Sequence, residues 1–451
     1  DVSMPAVDVP LLSTASNFKA KTRTTGHSFG GFQNCAEFCP KYHHLKVNGT
    51  KQFEWLNWKE CSDNPVMAQG GTWLYDRAGW CPGTFGTTYD HEITPFISSG
   101  DTSVNIDYGM EVTSGGMEGN YRTTVQLVSY GDFNFQNDAG ITDVLAPNDW
   151  EFHTRINPIC DQPRILLKNT GEQDLTSAQI DYWICGGPHE TLSWTGQLEF
   201  DQEIEIYLPI SSQSFWDYAQ FCKDFHVQIM QVNGTVDECL ENNHYHTTFD
   251  VPPVYPEEIV LWTRTNLAAN ETKLYIRDVD GNIVFSKTNF QSNTLHKDTV
   301  NLTTGCYQLE LDDTGEDGLD FFANNDGSGF FQIRKTTGAP LAGFESDFGK
   351  NIIQYFTVGY GLSIEENSSM FDFKCYPNPA HNELNLQTNG FVDDVQFEIF
   401  DSFGKLVFQE KLTLSKVYNK NSIDISKLSS GIYFIKVSDS YHTKTQRFIR
   451  Q

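Results

Sequence analysis

Positive charge is scarce in this chain. Its 451 residues include 31 Lys and Arg against 59 Asp and Glu, so the formal net charge at pH 7 is −28. Proteins that bind nucleic acids neutralise phosphates with clustered Lys and Arg, and this composition therefore argues against nucleic acid as a partner. A large excess of carboxylates favours a strongly hydrated surface, as in proteins that work outside the cell.

Long apolar runs and helical periodicity are missing as well. No apolar stretch approaches the roughly 20 residues that a membrane-spanning helix needs, so the sequence predicts no transmembrane helix. Short alternating runs between Gly-rich turns occur instead, for example FISSGDTSVNIDYGMEV (96–112) and YRTTVQLVSYGDF (121–133). These patterns are typical of β-strands. With 14% aromatic residues and 35 Gly, they predict an all-β chain of β-sandwich domains.

Cysteine pairs with zinc-type spacing are absent, although the chain has ten Cys. The cysteines follow one another as local pairs, which predicts disulfides and an oxidising compartment: the periplasm, the cell surface or the medium. Proximity within one sandwich predicts Cys160–Cys185 and Cys222–Cys239. Cys306 and Cys375 stay unassigned. The chain starts at Asp1 rather than Met, so we expect that an upstream segment has been removed.

The length suggests three or four domains at roughly 150 residues each. We expect four units, at residues 1–150, 151–252, 253–364 and 365–451. The second resembles immunoglobulin-like modules, because about seven short strands fall within some ninety residues. A Pro-rich stretch, DVPPVYPEE, is expected to link it to the third unit, a β-sandwich with an acidic loop.

The third and fourth units share two sequence blocks in the same order. LYIRDVDGNIVFSK (274–287) matches FEIFDSFGKLVFQE (397–410), and LTTGCYQLEL (302–311) matches LSSGIYFIKV (428–437). The match suggests two similar sandwiches. Convergence is the other interpretation, because every β-hairpin needs a turn between alternating strands.

The last unit carries a motif set of its own. FKCYPNPAHNELNL opens it, FGKLVF follows, and IDISKLSSGIYFIKVSDSYHTKTQRFIRQ closes it. Over residues 372–451 it resembles the C-terminal sorting domain of type A cargo of the type IX secretion system of Bacteroidota. The resemblance implies a secreted or surface-exposed protein. It also implies the outer-membrane translocon, with its shuttle and sortase, as partners.

Three motifs near the start carry a second resemblance. CAEFC (35–39), CSDNP (61–65) and DRAGWCPG (76–83) are similar to motifs of the second jelly-roll domain of the peptide-N-glycosidase F family, over about residues 15–135. That family cleaves the amide that joins N-linked glycans to asparagine. The resemblance implies a jelly roll that is incomplete at its N-terminus, and the disulfides Cys35–Cys39 and Cys61–Cys81.

The family's active-site region matches a small set of residues here. The resemblance implies Glu37 and Arg77 as catalytic residues, since amide hydrolysis needs a carboxylate and donors for developing charge. His27, Asp76 and Trp80 are implied as ligand-binding residues, with Trp80 as a stacking surface for sugar. On the other interpretation, Asp76 and Arg77 only pin a loop and Trp80 belongs to the core.

Departures from the family leave the activity open. The family's principal catalytic Asp lies in a first jelly roll, within a Trp-Asp-Arg segment that this chain lacks. Thr25 and Phe38 stand where the family has Trp. We therefore expect a protein that acts on or binds N-glycans or glycopeptides, with a preceding domain or another chain completing the site. The alternatives are a non-catalytic surface protein and a structural subunit of an outer-membrane complex.

One further segment could bind a cation. LDDTGEDGLDFFANNDGSG (311–329) is rich in carboxylates, and Asp312, Asp313 and Asp317 could offer oxygen ligands to calcium. The twelve-residue EF-hand spacing is absent, so a hydrated acidic loop is the other interpretation. No other cofactor is expected.

Overall fold

The structure, a computed structural model, describes residues 4–29, 36–66, 70–111, 119–359, 372–389, 393–402, 404–414, 418–438 and 443–451. The chain is all-β, as the sequence predicted. Its described strands form eight sheets, two in each of four successive β-sandwiches. Short 3₁₀ segments also occur, at Thr94–Phe96, Glu151–His153 and Gln213–Gln220.

The first sandwich carries the motifs of the 35–83 region. Its strands are β1 (Val7–Pro10), β2 (Asn17–His27), β3 (Tyr42–Val47), β4 (Thr50–Leu56), β5 (Thr88–Glu92), β6 (Ser103–Met110) and β7 (Asn120–Tyr130). They form the sheets β1-β6-β3-β4 and β5-β2-β7. Alternate residues of β2, such as Phe18 and Ala20, face the core and pack with Leu45 and Val104 of the other sheet. The strict two-residue alternation follows from the pleat of a strand.

The second sandwich begins earlier than expected. Its strands are β8 (Ala139–Ala146), β9 (Arg164–Asn169), β10 (Leu175–Ile184), β11 (Glu190–Leu198), β12 (Glu203–Tyr207), β13 (Asp224–Val232) and β14 (His244–Thr248). They form the sheets β11-β10-β13-β14 and β12-β9-β8. Because β8 pairs with β9, this strand belongs to the second sandwich although it precedes the expected boundary at residue 150.

The third and fourth sandwiches complete the chain. The third has β15 (Val254–Tyr255), β16 (Glu258–Arg264), β17 (Thr272–Asp278), β18 (Ile283–Lys287), β19 (Leu295–Asn301), β20 (Gly305–Asp313), β21 (Phe330–Lys335), β22 (Pro340–Gly343) and β23 (Asn351–Val358). The fourth has β24 (Asp372–Tyr376), β25 (Glu383–Asn389), β26 (Asp393–Asp401), β27 (Leu406–Leu414), β28 (Tyr418–Asp424), β29 (Gly431–Ser438) and β30 (Thr443–Arg450).

These two sandwiches share a topology. The order β18-β17-β20-β23 in one corresponds to β27-β26-β29-β30 in the other, and the pair β19-β16 corresponds to β28-β25. Each first hairpin shifts register at the same point, after Ile276 in one and after Ile399 in the other. The pairing thus agrees with the repeated sequence blocks. Relative to the fourth sandwich, residues 314–343 of the third are an insertion that holds the acidic loop, β21 and β22.

The same local hydrogen bond occurs in both of these sandwiches. The Tyr307 hydroxyl donates to the Thr303 carbonyl at 2.9 Å, and the Tyr433 hydroxyl donates to the Ser429 carbonyl at 2.8 Å. In both cases the tyrosine lies two residues after a glycine that opens a strand. A tyrosine hydroxyl therefore fixes the loop before the equivalent strand, β20 or β29, in both sandwiches.

The disulfides differ in part from the expected set. Cys61–Cys81 is present, with a Cα–Cα distance of 5.4 Å. Cys39 is disulfide-bonded, while its predicted partner Cys35 lies outside the described residues.

The two local predictions were wrong. Cys160 pairs with Cys306 rather than with Cys185. Cys185 pairs with Cys222, and Cys239 is a free thiol, as is Cys375. Cys160 lies in the loop between β8 and β9, next to the third sandwich. Its spatial neighbour is therefore 146 residues away in sequence.

The described residues fall into two compact units. The first holds the three sandwiches that precede residue 360. The second holds the sandwich of residues 372–451 together with residues 184–187 and 216–223.

One buried arginine joins the three sandwiches of the first unit. Arg155 lies in the loop after β8 and is 6% exposed. Its guanidinium donates to the Asn64 carbonyl at 2.5 Å and to the Ser62 carbonyl at 3.1 Å, both in the first sandwich. It also donates to the Asn351 carbonyl at 2.8 Å and to the Phe348 carbonyl at 3.4 Å, both in the third. Each sandwich thus contributes to a single hydrogen-bonded centre.

Candidate functional site

The segment 70–83 folds around Arg77. This side chain is 2% exposed, and its guanidinium donates to backbone carbonyls of the same segment: Thr72 at 2.6 Å, Trp73 at 3.1 Å and Tyr75 at 2.6 Å. Nε donates to Glu37 Oε1 at 3.0 Å, and Nη2 also contacts Thr72 Oγ1. All five donors of the guanidinium therefore have protein acceptors. Arg77 lies behind the surface and fixes the loop.

A tight turn and a disulfide hold the end of this segment. Gly79 has φ +76°, and a Cβ there would lie 2.1 Å from the Thr24 carbonyl oxygen. Only glycine fits this position. The Cys61–Cys81 disulfide follows directly. Asp76 accepts the Cys61 backbone N–H at 3.0 Å, and burial raises the pKa of its carboxyl above the ordinary value.

Glu37 is held by Arg77 at the edge of a cleft. Its side chain is 16% exposed, and the ion pair to Arg77 fixes one of its two oxygens. The guanidinium also lies 5.0 Å from the Phe38 ring and 5.3 Å from the Trp80 ring. The structure thus brings Glu37 and Arg77 together, and of the two it is Glu37 that lines the cleft.

His27 and Trp80 are paired elsewhere. Their rings stack with centroids 5.7 Å apart, Trp80 Nε1 donates to the Gly26 carbonyl at 2.8 Å, and His27 Nε2 lies 2.8 Å from Thr25 Oγ1. Neither ring is among the described residues that line the cleft.

The third sandwich meets the first across this region. Trp73 Nε1 donates to the Asp347 carbonyl at 3.0 Å, and Ser62 Oγ donates to Glu316 Oε2 at 2.8 Å. Trp73 and Leu74 form a small buried cluster with Phe321 of the acidic loop. The two tryptophans of segment 70–83 therefore have different surroundings. Trp73 packs on the third sandwich, whereas Trp80 packs within the first.

Between the two sandwiches lies a cleft of about 800 Å³. Four carboxylates reach it, two from each side: Glu37, Asp76, Glu316 and Asp317. Six aromatic rings line it as well: Phe29, Phe38, Trp58, Tyr75, Phe321 and Phe322. No Lys, Arg or His is among the described lining residues.

Five of the aromatic rings form an unbroken strip. Ring centroids are 5.7 Å apart for Phe29–Phe38, 5.8 Å for Phe38–Tyr75, 5.2 Å for Tyr75–Phe321 and 5.1 Å for Phe321–Phe322, all edge to face. This is the favoured geometry for neighbouring rings. Phe29 and Phe322 are 65% and 67% exposed. The strip therefore presents apolar faces to solvent along the cleft.

The acidic loop has an ordered internal structure. Asp313 is 3% exposed and accepts backbone N–H groups of Gly315, Asp317 and Gly318. Burial raises the pKa of its carboxyl to about 7. Ligand atoms of Glu271, Asp313 and Asp317 lie within 4.8 Å of one another, a set of oxygens that could hold a hard cation.

Asp312 does not join this group. Successive side chains of a strand point to opposite faces, so Asp312 of β20 lies on the other face from Asp313. Burial, with the neighbouring Glu310, raises the pKa of Asp312 to about 6. Glu271, which precedes β17, takes the place predicted for Asp312.

Sequence reasoning did not bring the two walls of the cleft together, although it named Asp317 of the second wall as a possible calcium ligand. Glu37 and Asp76 were predicted site residues, whereas Glu316, Phe321 and Phe322 come from a loop about 240 residues later in the chain. A pair of adjacent phenylalanines within an acidic loop was the one available signal, because large apolar rings in a polar loop need a surface to cover.

Comparison with known families agrees with these features. Residues 3–130 match the family model described as peptide-N-glycosidase F, C terminal. Residues 374–451 match the one described as secretion system C-terminal sorting domain. The chain carries both of these domains.

The peptide-N-glycosidase F domain has curated and structural relatives. Peptide-N(4)-(N-acetyl-beta-D-glucosaminyl)asparagine amidase F of Elizabethkingia miricola is 40% identical over 74 residues, 14% of this chain and 21% of the relative. The chain thus spans about a fifth of that relative's length. The structure of PNGase F from Flavobacterium meningosepticum covers 28% of this chain with 43% of its own, at 20% identity and a TM-score of 0.26. A comparison over a longer stretch of the chain matches 72% of this protein with 35% of dimeric latent PorU from Porphyromonas gingivalis, at 11% identity and a TM-score of 0.17.

The sorting domain identifies this protein as secreted or cell-surface cargo of the type IX secretion machinery. In the part of the chain that the structure describes, no helix is long and apolar enough to cross a membrane.

Proposed function

We propose that this exported protein binds the carbohydrate part of N-linked glycopeptides in the cleft between its first and third sandwiches. The observation that carries the proposal is the aromatic strip beside Glu37 and Asp76, which begins in the peptide-N-glycosidase F domain and continues onto the acidic loop of the third sandwich. Aromatic rings contact the apolar faces of sugar rings, while carboxylates accept hydrogen bonds from sugar hydroxyls. Export through the outer-membrane translocon, with its shuttle and sortase as partners, is part of the same proposal.

The charge of the cleft favours neutral glycans. Four carboxylates and no basic side chain are among its described lining residues, and the whole chain carries a net charge of −28. These carboxylates repel a negatively charged ligand, and the repulsion is strongest where the protein excludes water. Neutral oligomannose-type glycans should therefore bind better than sialylated ones.

Binding fits the cleft better than amide cleavage by this chain alone. Cleavage needs a free donor to stabilise the developing oxyanion. Arg77, which is ion-paired with Glu37, has protein acceptors for all of its N–H groups. Glu37 and Arg77 are thus proposed as a ligand-facing carboxylate and the residue that positions it.

The test measures binding and release together. Calorimetric titration of the full chain with an oligomannose glycopeptide should show saturable binding. The sialylated counterpart should bind at least about tenfold more weakly, which corresponds to roughly 1.4 kcal/mol. Mass spectrometry of the same mixture should show no released glycan.

Matched variants locate the binding site. Tyr75→Ala and Phe322→Ala should each weaken binding about tenfold or more, since each removes a ring of the strip. Tyr207→Ala, which removes a ring 55% exposed on the second sandwich, should have no effect. Glu37→Gln should weaken binding, while Glu54→Gln, an exposed carboxylate on β4, should not. Equal affinity of all these variants would refute the proposed cleft.

A further inference from the structure

A row of stacked rings lies on the second sandwich, away from the cleft. His189, Trp183 and His226 stack in turn, with centroids 4.0 and 5.1 Å apart and planes within 10° of each other. His244 and His246 continue the row at 5.4 and 5.6 Å from His226. Four of the twelve histidines of the chain are therefore concentrated on one patch, which we call the histidine row.

The strand pairing accounts for the row. Trp183 on β10 and His226 on β13 occupy positions that alternate with buried core residues, so both lie on the outer face of the sheet. His244 and His246 are two residues apart on β14, which puts them on one face. In the register, His226 lies directly opposite His246. Three imidazoles thus lie side by side on two adjacent strands.

The separation of two ring nitrogens is compatible with a shared metal ion. His226 Nδ1 and His244 Nε2 lie 3.2 Å apart, within hydrogen-bond distance of each other, so a bound ion would replace the proton between them. Zinc–imidazole bonds are about 2.0–2.1 Å long, so two nitrogens bound to one ion at a tetrahedral angle are about 3.3 Å apart. The two rings already stand at the separation that such an ion requires.

A carboxylate contacts two of these rings, His226 and His246. Asp224 Oδ2 lies 3.5 Å from His226 Nε2, and Oδ1 lies 3.1 Å from His246 Nδ1. Histidines that bind metals commonly direct their second ring nitrogen to a carboxylate, which fixes the tautomer and the ring orientation. Contact of Nε2 with Asp224 leaves Nδ1 of His226 with its lone pair toward His244.

We propose that His226 and His244, with Asp224 as the orienting carboxylate, form a surface site for a divalent late first-row transition ion such as Zn²⁺ or Cu²⁺. Imidazole ligands suit these ions, whereas Ca²⁺ prefers oxygen ligands. His246 lies beside the site with its Nδ1 toward Asp224, and water would complete the coordination. The proposal does not depend on the glycan-binding cleft.

The test uses the full chain without a polyhistidine tag. Calorimetric titration with Zn²⁺ and with Cu²⁺ should each show one site per chain that Ca²⁺ does not compete for. His226→Gln and His244→Gln should each weaken this binding at least tenfold. The loss in the double variant should be smaller than the two single losses combined, because both ligands serve one ion. His381→Gln, which changes an exposed histidine of the fourth sandwich, should bind as the parent does.

Fluorescence supplies a second measurement. The Trp183 ring lies 5.1 Å from the His226 ring, so bound Cu²⁺ should quench this tryptophan, and Trp183→Phe should abolish the quenching that saturates with the site. Asp224→Asn should weaken binding less than either histidine variant. Unchanged affinity in both histidine variants, or quenching that survives Trp183→Phe, would overturn the proposal. Far-UV circular dichroism of each variant verifies that the sheet is retained.

Discussion

His43 is a histidine in the core of the first sandwich. It is fully buried, its Nδ1 lies 2.5 Å from the Tyr108 hydroxyl, and the rings of Trp55 and Tyr121 surround it at 6.2 and 5.6 Å. Burial, assisted by the adjacent His44, lowers the pKa of His43 to about 4. The folded state therefore requires the neutral imidazole.

Acid should weaken the first sandwich through this residue. An unfolded histidine takes up a proton near pH 6.5, whereas His43 in the folded chain does so only near pH 4. The stability that neutral His43 provides is thus complete above pH 6.5 and is lost as pH falls toward 4, by up to about 3 kcal/mol. Urea unfolding at pH 7 and at pH 4.5 measures this loss.

A neutral replacement separates this effect from general acid sensitivity. His43→Gln should be less stable than the parent at pH 7, but its stability should fall less between pH 7 and pH 4.5. His381→Gln should follow the parent at both values. A parallel pH dependence for parent and His43→Gln would mean that His43 does not control the transition.

At the scale of strands, the sequence was informative because the relevant patterns are local. The alternation in β2 and the D-x-x-G turns after Asp278 and Asp401 depend on neighbouring residues. The hairpins formed accordingly, with Gly281 and Gly404 both at φ +78°. Core faces, turns and the shared topology of the last two sandwiches could therefore be predicted.

Pairing between distant elements could not be predicted in this way. The sequence placed Cys160 with Cys185, because both lie in one expected domain, yet Cys160 pairs with Cys306. The site shows the same limit. Glu37 was predicted as a catalytic residue from motifs within one domain, whereas the position of Phe322 on the opposite wall depends on how two sandwiches dock. Nothing in a single sequence encodes that docking locally.

The Cys160–Cys306 bridge connects elements that are separate in sequence, and its removal should be costly. The double variant Cys160→Ala/Cys306→Ala should lose about 2–5 kcal/mol of unfolding free energy, because a long closed loop regains its freedom in the unfolded chain. Both side chains are buried, so each Ala also leaves unfilled space. Urea unfolding measures the loss. Cys239→Ala removes a free thiol and should change the free energy little. A double variant as stable as Cys239→Ala would contradict this expectation.

At the scale of the first unit, Arg155 should control how the sandwiches dock. Its planar guanidinium donates hydrogen bonds to carbonyls of two other sandwiches at once. The ammonium group of a lysine cannot donate in all of these directions. We expect Arg155→Lys to lower the free energy of unfolding by about 3 kcal/mol, because buried carbonyls lose their donors. Hydrogen exchange should rise in residues 70–83 and 314–323 together.

The control for Arg155 is a surface arginine. Arg277 forms a 3.7 Å ion pair with Glu310 and is about one-third exposed, at 32%. Arg277→Lys should leave stability and exchange close to those of the parent. Arg155→Lys should also weaken glycopeptide binding, although Arg155 is not among the described residues that line the cleft. Unchanged exchange in both segments would show that other contacts set the docking.

The Cys160–Cys306 bridge also bears on how an exported protein withstands proteases. It closes a covalent ring that includes the Pro-rich linker between the second and third sandwiches. A protease that cuts the chain once anywhere between these cysteines leaves both halves joined through sulfur. The first sandwich, which precedes the ring, and the acidic loop, which follows it, remain parts of one molecule. A nicked protein in the medium would therefore still hold both walls of its cleft until a reductant opened the bridge.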